Sequence, residues 1–174
     1  MVYLECQQAL PFVAMTTMQD WFDAYGESHQ NPTNKAVHWI CVPAIFFSLI
    51  GLLSVIPSGW LNSWAAAGYQ PYLHVGKLLI VGGMVFFLRL SLSISIGMAL
   101  VSAFILYGVK AINGSMQDQA WMAYLGIFVV AWIGQFIGHK IEGAKPSFLD
   151  DIKFLLIGPA WLLHFLYRKA GIRI

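Results

Sequence analysis

Five histidines stand in a 174-residue chain of which 59% is apolar and only 10% charged. Imidazole is the commonest metal ligand near neutral pH, because its neutral ring keeps a lone pair on one nitrogen. Position along the chain decides which of the five can work together. His29 and His38 stand just before and just inside one long apolar run, His139 near the end of another, and His164 in a short apolar stretch close to the C-terminus. A lone histidine at a helix end is ordinarily a cap or an interface group. Four in one layer of so apolar a chain are different, since buried polar groups need partners and one shared metal satisfies several imidazoles. We therefore take His29, His38, His139 and His164 as metal-ligand candidates. His74 belongs elsewhere and is read as a plain interface residue.

Other polar residues gather near these four. Glu142 follows His139 by three positions, so on a continuing helix both point to one side. It is a candidate to complete a histidine and carboxylate iron site or to fix a ligand ring; the plain alternative is an ion pair with Lys140 or Lys145. Asn31 and Asn34 flank the start of the first apolar run. One is expected to cap the helix, the other to hydrogen-bond a carboxylate or a water. Lys35 would lie at the lipid headgroups, where it anchors the helix or draws in an anionic lipid.

The elements that must position these residues follow from hydropathy. A mean hydropathy of +0.68 exceeds what one small core can hide, so lipid must cover the remainder. The expected fold is an all-α integral membrane helical bundle of about four transmembrane helices, with a short C-terminal re-entrant or interfacial helix. Spans are predicted at 36–56, with a kink at Pro43, and at 120–141. The apolar run 73–109 is too long for one crossing and is divided near 89–93 into a tight hairpin. Residues 58–72 and 113–119 read as loops. After a break at Lys145-Pro146-Ser147, the residues Ser147, Asp150 and Asp151 resemble a capped helix start. The apolar piece 154–167, which contains Gly158-Pro159, is too short to cross. The whole of 1–174 forms one domain: an interfacial segment 1–35 with the His29, Asn31 and Asn34 block, a bundle 36–141, and a loop and helix 142–174.

With four spans and the N-terminus inside, Lys77 and Lys110 fall on the outer side and the other eight of the ten lysines and arginines on the inner side. The same topology carries His29, His38, His139 and His164 to the inner face. A net charge of +2 offers no footprint for nucleic acid. Cys6 and Cys41 lack metal or redox spacing, the first residues lack the basic segment of a signal peptide, and no GxSxG, Walker or CxxC pattern occurs.

Two stretches carry a resemblance. One is Tyr25-Gly-Glu-Ser-His29-Gln-Asn-Pro-Thr-Asn34-Lys-Ala-Val-His38, running into Trp39-Ile-Cys-Val-Pro43; the other is Trp132-Ile-Gly-Gln-Phe-Ile-Gly-His139-Lys-Ile-Glu142-Gly-Ala-Lys-Pro146. From about residue 20 to about 167 the chain is similar to the membrane 2-hydroxy fatty acid dioxygenases of the Mpo-type family. The resemblance implies an Fe2+ enzyme of fatty acid α-oxidation, in which a 2-hydroxy fatty acid and dioxygen yield carbon dioxide and an acid one carbon shorter. It also implies that His29, His38 and His139 are the metal-site histidines; His164 is added from its place in the inner layer alone. With that chemistry Glu142 (as a base toward the substrate hydroxyl or a ligand holder) and Asn34 and Lys35 (to orient the carboxylate) are the catalytic candidates, and Tyr25 and Asn31 the substrate-binding candidates. The site would face the cytoplasm, from the inner membrane of a bacterium or the endoplasmic reticulum of a eukaryote. Two other readings stay open: a haem-binding bundle with His38 and His139 as axial ligands, and a non-enzymatic lipid-binding membrane protein. A di-iron hydroxylase or desaturase is disfavoured because its HxxxH and HxxHH boxes are missing.

Overall fold

The computed structural model describes residues 16–63, 73–143 and 154–173, and every regular element among them is helical. In chain order these are α1 (Met18–Glu27), α2 (Pro32–Ser54), a short α3 (Gly59–Asn62), α4 (Val75–Leu90), α5 (Leu92–Met116), a 3-10 turn at Gln117–Gln119, α6 (Ala120–Glu142) and α7 (Ile157–Lys169). The all-helical expectation holds. The expected break at Lys145-Pro146-Ser147, the helix start at Ser147, Asp150 and Asp151, Cys6, and residues 64–72 of the 58–72 loop lie outside the described residues.

Local chemistry explains where the helices begin. Helix α1 opens on a capping box: the Asp20 amide donates to Thr17 Oγ1 at 3.2 Å, and the Thr17 amide to Asp20 Oδ2 at 2.8 Å. Thr17-Met-Gln-Asp20 is legible as such a box, although the N-terminal segment was expected to be only interfacial. Helix α2 starts four residues ahead of its apolar run. The Asn31 side chain accepts from the amides of Thr33 (2.8 Å) and Asn34 (3.4 Å), and Pro32 fills the first position, which needs no N–H. The helix then continues through Pro43 to Ser54. The division of the 73–109 run falls at Ser91, whose extended backbone separates α4 from α5 and whose hydroxyl accepts from the Ile94 amide. Helix α5 runs on past residue 109 to Met116, and the chain turns only at Gln117, which takes a positive φ of 47°. Helix α7 starts at Ile157, with Gly158-Pro159 in its first turn, where proline costs no hydrogen bond.

Helices α2 and α6 form the most extensive pair. Their closeness comes from Gly134 and Gly138, one turn apart on α6. A Cβ at Gly134 would strike Cys41 Sγ, and one at Gly138 would strike Asn34 Oδ1. This small-xxx-small spacing lets two backbones approach where side chains would hold them apart. Helix α4 packs against α2 and α5, and α7 against α1, α2 and α5. The buried face of α1 (Met18, Trp21, Phe22 and Tyr25) shares a core with Ile157, Ala160 and Trp161 of α7.

Two stretches are long and apolar enough to cross a membrane, Pro32–Ser54 and Leu92–Glu142, the second divided by the turn at Gln117. Helix α4 has 16 residues. Large apolar side chains face outward along these helices, among them Val81 on α4, Leu100 and Phe104 on α5, and Val130 and Ile133 on α6.

Candidate metal centre

His29 follows the C-terminus of α1, His38 lies in the second turn of α2, and His139 in the last turn of α6. Because α2 begins where α6 ends, the tight pairing of these helices brings the three rings together. One nitrogen of each lies within 4.8 Å of the others. Ring centroids are 4.3 Å apart for His29 and His38, 5.1 Å for His38 and His139, and 5.4 Å for His29 and His139. All three residues are buried, at 1%, 0% and 4% exposure.

The backbone selects the ring tautomers. His29 Nδ1–H donates to the Tyr25 carbonyl at 2.6 Å, and His38 Nδ1–H to the Asn34 carbonyl at 2.9 Å. In each ring the lone pair is thereby left on Nε2, as happens when a carbonyl orients a metal-binding imidazole. His29 Nε2 is fully buried and has no hydrogen-bond partner among the described residues. Burial pushes the His29 pKa down to about 4, so the ring is neutral, and able to ligate, at pH 7. Tyr25 stacks on its face at 4.1 Å, and Trp161 of α7 lies 5.5 Å away. Three buried imidazoles, two of them oriented by carbonyls and one with an orphaned nitrogen, fit a divalent metal that favours nitrogen ligands.

The other candidates fall in three places. Glu142 does not join the imidazole group. Its oxygens accept from the amides of Gln30 (2.7 Å) and Asn31 (2.9 Å) and from Asn34 Nδ2 (2.9 Å). The carboxylate thus latches the end of α6 onto the segment that joins His29 to α2. Asn31 and Asn34 belong to that latch: the Asn31 side chain caps α2, and the Asn34 carbonyl holds His38. Lys35 is half-buried in the first turn of α2.

His164 is not brought into the group, against its expected place there. On α7 it stands one turn beyond Trp161, about 4.5 Å further along the axis. That rise takes its ring past the cluster and onto Phe22 of α1, at 4.8 Å. There it lines a surface cleft with Asp23, Gln30 and Arg168. Burial and the neighbouring Arg168 charge push its pKa down. His74 sits at the N-terminus of α4, where the neighbouring Gly76 meets the end of α2 near the Ile50 carbonyl.

Sequence reasoning passed over Gln135. It is 4% exposed and lies one turn before His139 on α6. A single glutamine inside an apolar helix is itself a signal, because an uncompensated amide is costly there.

Comparison with known proteins points one way. The family described as 2-hydroxy-palmitic acid dioxygenase Mpo1-like matches residues 15–170. The 2-hydroxy-palmitic acid dioxygenase MPO1 of Saccharomyces cerevisiae is 27% identical over 145 residues, which cover 82% of this chain and 75% of the yeast protein. No solved structure matches the chain.

Proposed function

The chain belongs to the Mpo1-like family, and from that premise we propose that it is an Fe2+-dependent dioxygenase that shortens 2-hydroxy fatty acids by one carbon. The observation that carries this reading is the convergence of His29, His38 and His139, buried and oriented, on one point. The reaction balances without a further co-substrate. A 2-hydroxy acid and dioxygen give the shortened acid, carbon dioxide and water; the 2-carbon and the carboxyl carbon together lose four electrons, and dioxygen gains them. Bound iron supplies the one-electron chemistry that lets dioxygen react with a closed-shell acid.

The chain's own residues supply the setting. The Tyr25 and Asn34 carbonyls hold two imidazoles in the ligating tautomer. Glu142, engaged by three donors, keeps the His29 segment docked on α6, which makes it a positioning group in our reading. Lys35 stands close enough to affect the His29 charge and is suited to drawing in a carboxylate. The aromatic wall of Tyr25 and Trp161 excludes water from the rings.

The apolar outward faces support a bundle in the membrane, crossing four times through α2, α4, α5 and α6, with the histidines at the cytoplasmic face. At 16 residues α4 is about 24 Å long, a short crossing that requires local thinning. A haem between His38 and His139 fits less well, because the His29 ring packs against both and leaves no slot for a porphyrin. The test is to incubate purified, iron(II)-loaded protein with 2-hydroxypalmitate and analyse the acids by mass spectrometry. The 15-carbon acid is expected; its absence, together with absence of bound metal, would refute the proposal.

A further inference from the structure

About one helical turn from the three imidazoles lies a small space of about 20 Å³, lined by Tyr25, Val42, Trp132, Gln135 and Gly158 among others. Its walls are tied to the cluster residue by residue. Val42 is one turn beyond His38 on α2, Gln135 one turn before His139 on α6, and Tyr25 stacks on His29. Each helical step is about 6 Å, so the space lies directly on the deep side of the histidines. Gln135 is the one side-chain amide in this wall. It is only 4% exposed, and its Oε1 is sealed from solvent with no hydrogen-bond partner among the described residues. Buried amides are ordinarily paired, so one left open against a cavity is a group awaiting a ligand.

We propose that Gln135 is the residue that recognises the 2-hydroxy acid head of the substrate. The inference rests on the functional reading above and deepens it. The open Oε1 is an acceptor matched to the 2-hydroxyl of that head, which must donate. A fatty acid without the hydroxyl leaves Oε1 buried and unpaired, the condition under which a polar pocket rejects an analogue most strongly. The cavity has room for one water-sized group, so it accepts the hydroxyl and not the chain. Gly158 keeps the space open: a Cβ there would come within 3.0 Å of Val42 and 3.3 Å of the Tyr25 hydroxyl.

The experiment compares metal-loaded wild-type protein with Gln135→Leu and Gly158→Ala variants. It measures metal content, the affinity ratio for 2-hydroxypalmitate over palmitate by tryptophan fluorescence, and kcat/KM for 2-hydroxypalmitate. Gln135→Leu preserves bulk while removing both hydrogen-bonding functions. The expected result is full metal content, an affinity ratio reduced at least tenfold, and a matching fall in kcat/KM. Gly158→Ala leaves the amide in place but fills the space, and is expected to erode the same ratio; it decides the matter if Gln135→Leu does not fold. An unchanged ratio in a folded, metal-loaded variant overturns the role of Gln135 alone, as does loss of the metal from Gln135→Leu. A wild-type protein that neither prefers the hydroxy acid nor shortens it overturns the functional reading, and this inference with it.

Discussion

The two ends of the α2–α6 pair use buried polar groups in opposite ways. At the end remote from the histidines, Asn113 Nδ2 donates to Ser54 Oγ at 3.0 Å, Ser54 donates onward to the Gly51 carbonyl, and the Tyr124 hydroxyl lies within hydrogen-bonding distance of Asn113 Oδ1 and the Val109 carbonyl. Tyr124 is fully buried and its ring lies flush on Gly51. These side chains close on one another, as they do where a network only holds helices together. At the histidine end Glu142, the Asn31 side chain and Asn34 Nδ2 are paired, whereas Asn34 Oδ1, set against Gly138, is not. Deeper in, His29 Nε2 and Gln135 Oε1 likewise have no partner among the described residues. A satisfied network is complete without a ligand; one that leaves buried groups open has room to take one.

Substitutions at the two ends should separate these roles. The largest effect is expected from His139→Ala or His29→Ala, which should abolish stoichiometric metal binding and product formation, as read by elemental analysis and by mass spectrometry. Retained iron and activity in both would dissolve the contrast. At the opposite end, Gly51→Ala would drive a methyl group into the Tyr124 ring. Overpacking of this kind costs about 1–3 kcal/mol or more. Thermal unfolding should report that loss while metal affinity in the folded protein stays unchanged.

Acid should act on the histidine end through His29, while His74 near the opposite end, its pKa also lowered by burial, adds a slope of the same sign. His29 has a folded pKa of about 4 against 6.5 for the free side chain, so the unfolded chain takes up its proton first as pH falls. Stability of the metal-free protein should therefore be complete above pH 6.5 and decline as pH drops toward 4, by up to about 3 kcal/mol. The Ser54, Asn113 and Tyr124 network contains no group that titrates in that window. A His29→Gln variant should flatten the slope in pH-dependent unfolding; an unaltered slope would place the acid sensitivity elsewhere.

The smallest effects come from the frames. Glu142→Gln keeps an acceptor but removes the charge that three donors share, and metal affinity should weaken by about tenfold in a titration. Tyr124→Phe should cost about 1 kcal/mol of stability and leave metal affinity unchanged. If Tyr124→Phe shifted metal affinity as much as Glu142→Gln, the two ends would be coupled through α2 and α6, and the distinction between frame and site would need redrawing.

The sequence alone determined the all-helical class, the division of the long apolar run near Ser91, the start of α6 at Ala120, and His29, His38 and His139 among its candidate ligands. These depend on hydropathy, on caps and breakers, and on the distance of a residue from its own helix end, all of which are local. Only the tertiary structure decided which candidates share a level. The rise along α7 carries His164 past the cluster to Phe22, the close approach at Gly134 and Gly138 puts Glu142 onto the Gln30 and Asn31 amides, and the same approach leaves Gln135 facing a space instead of a partner. Helical periodicity fixes the side of its own helix on which a residue lies. The depth at which that side meets a neighbour is set by how far two backbones can slide and close, and that is a property of the packed pair.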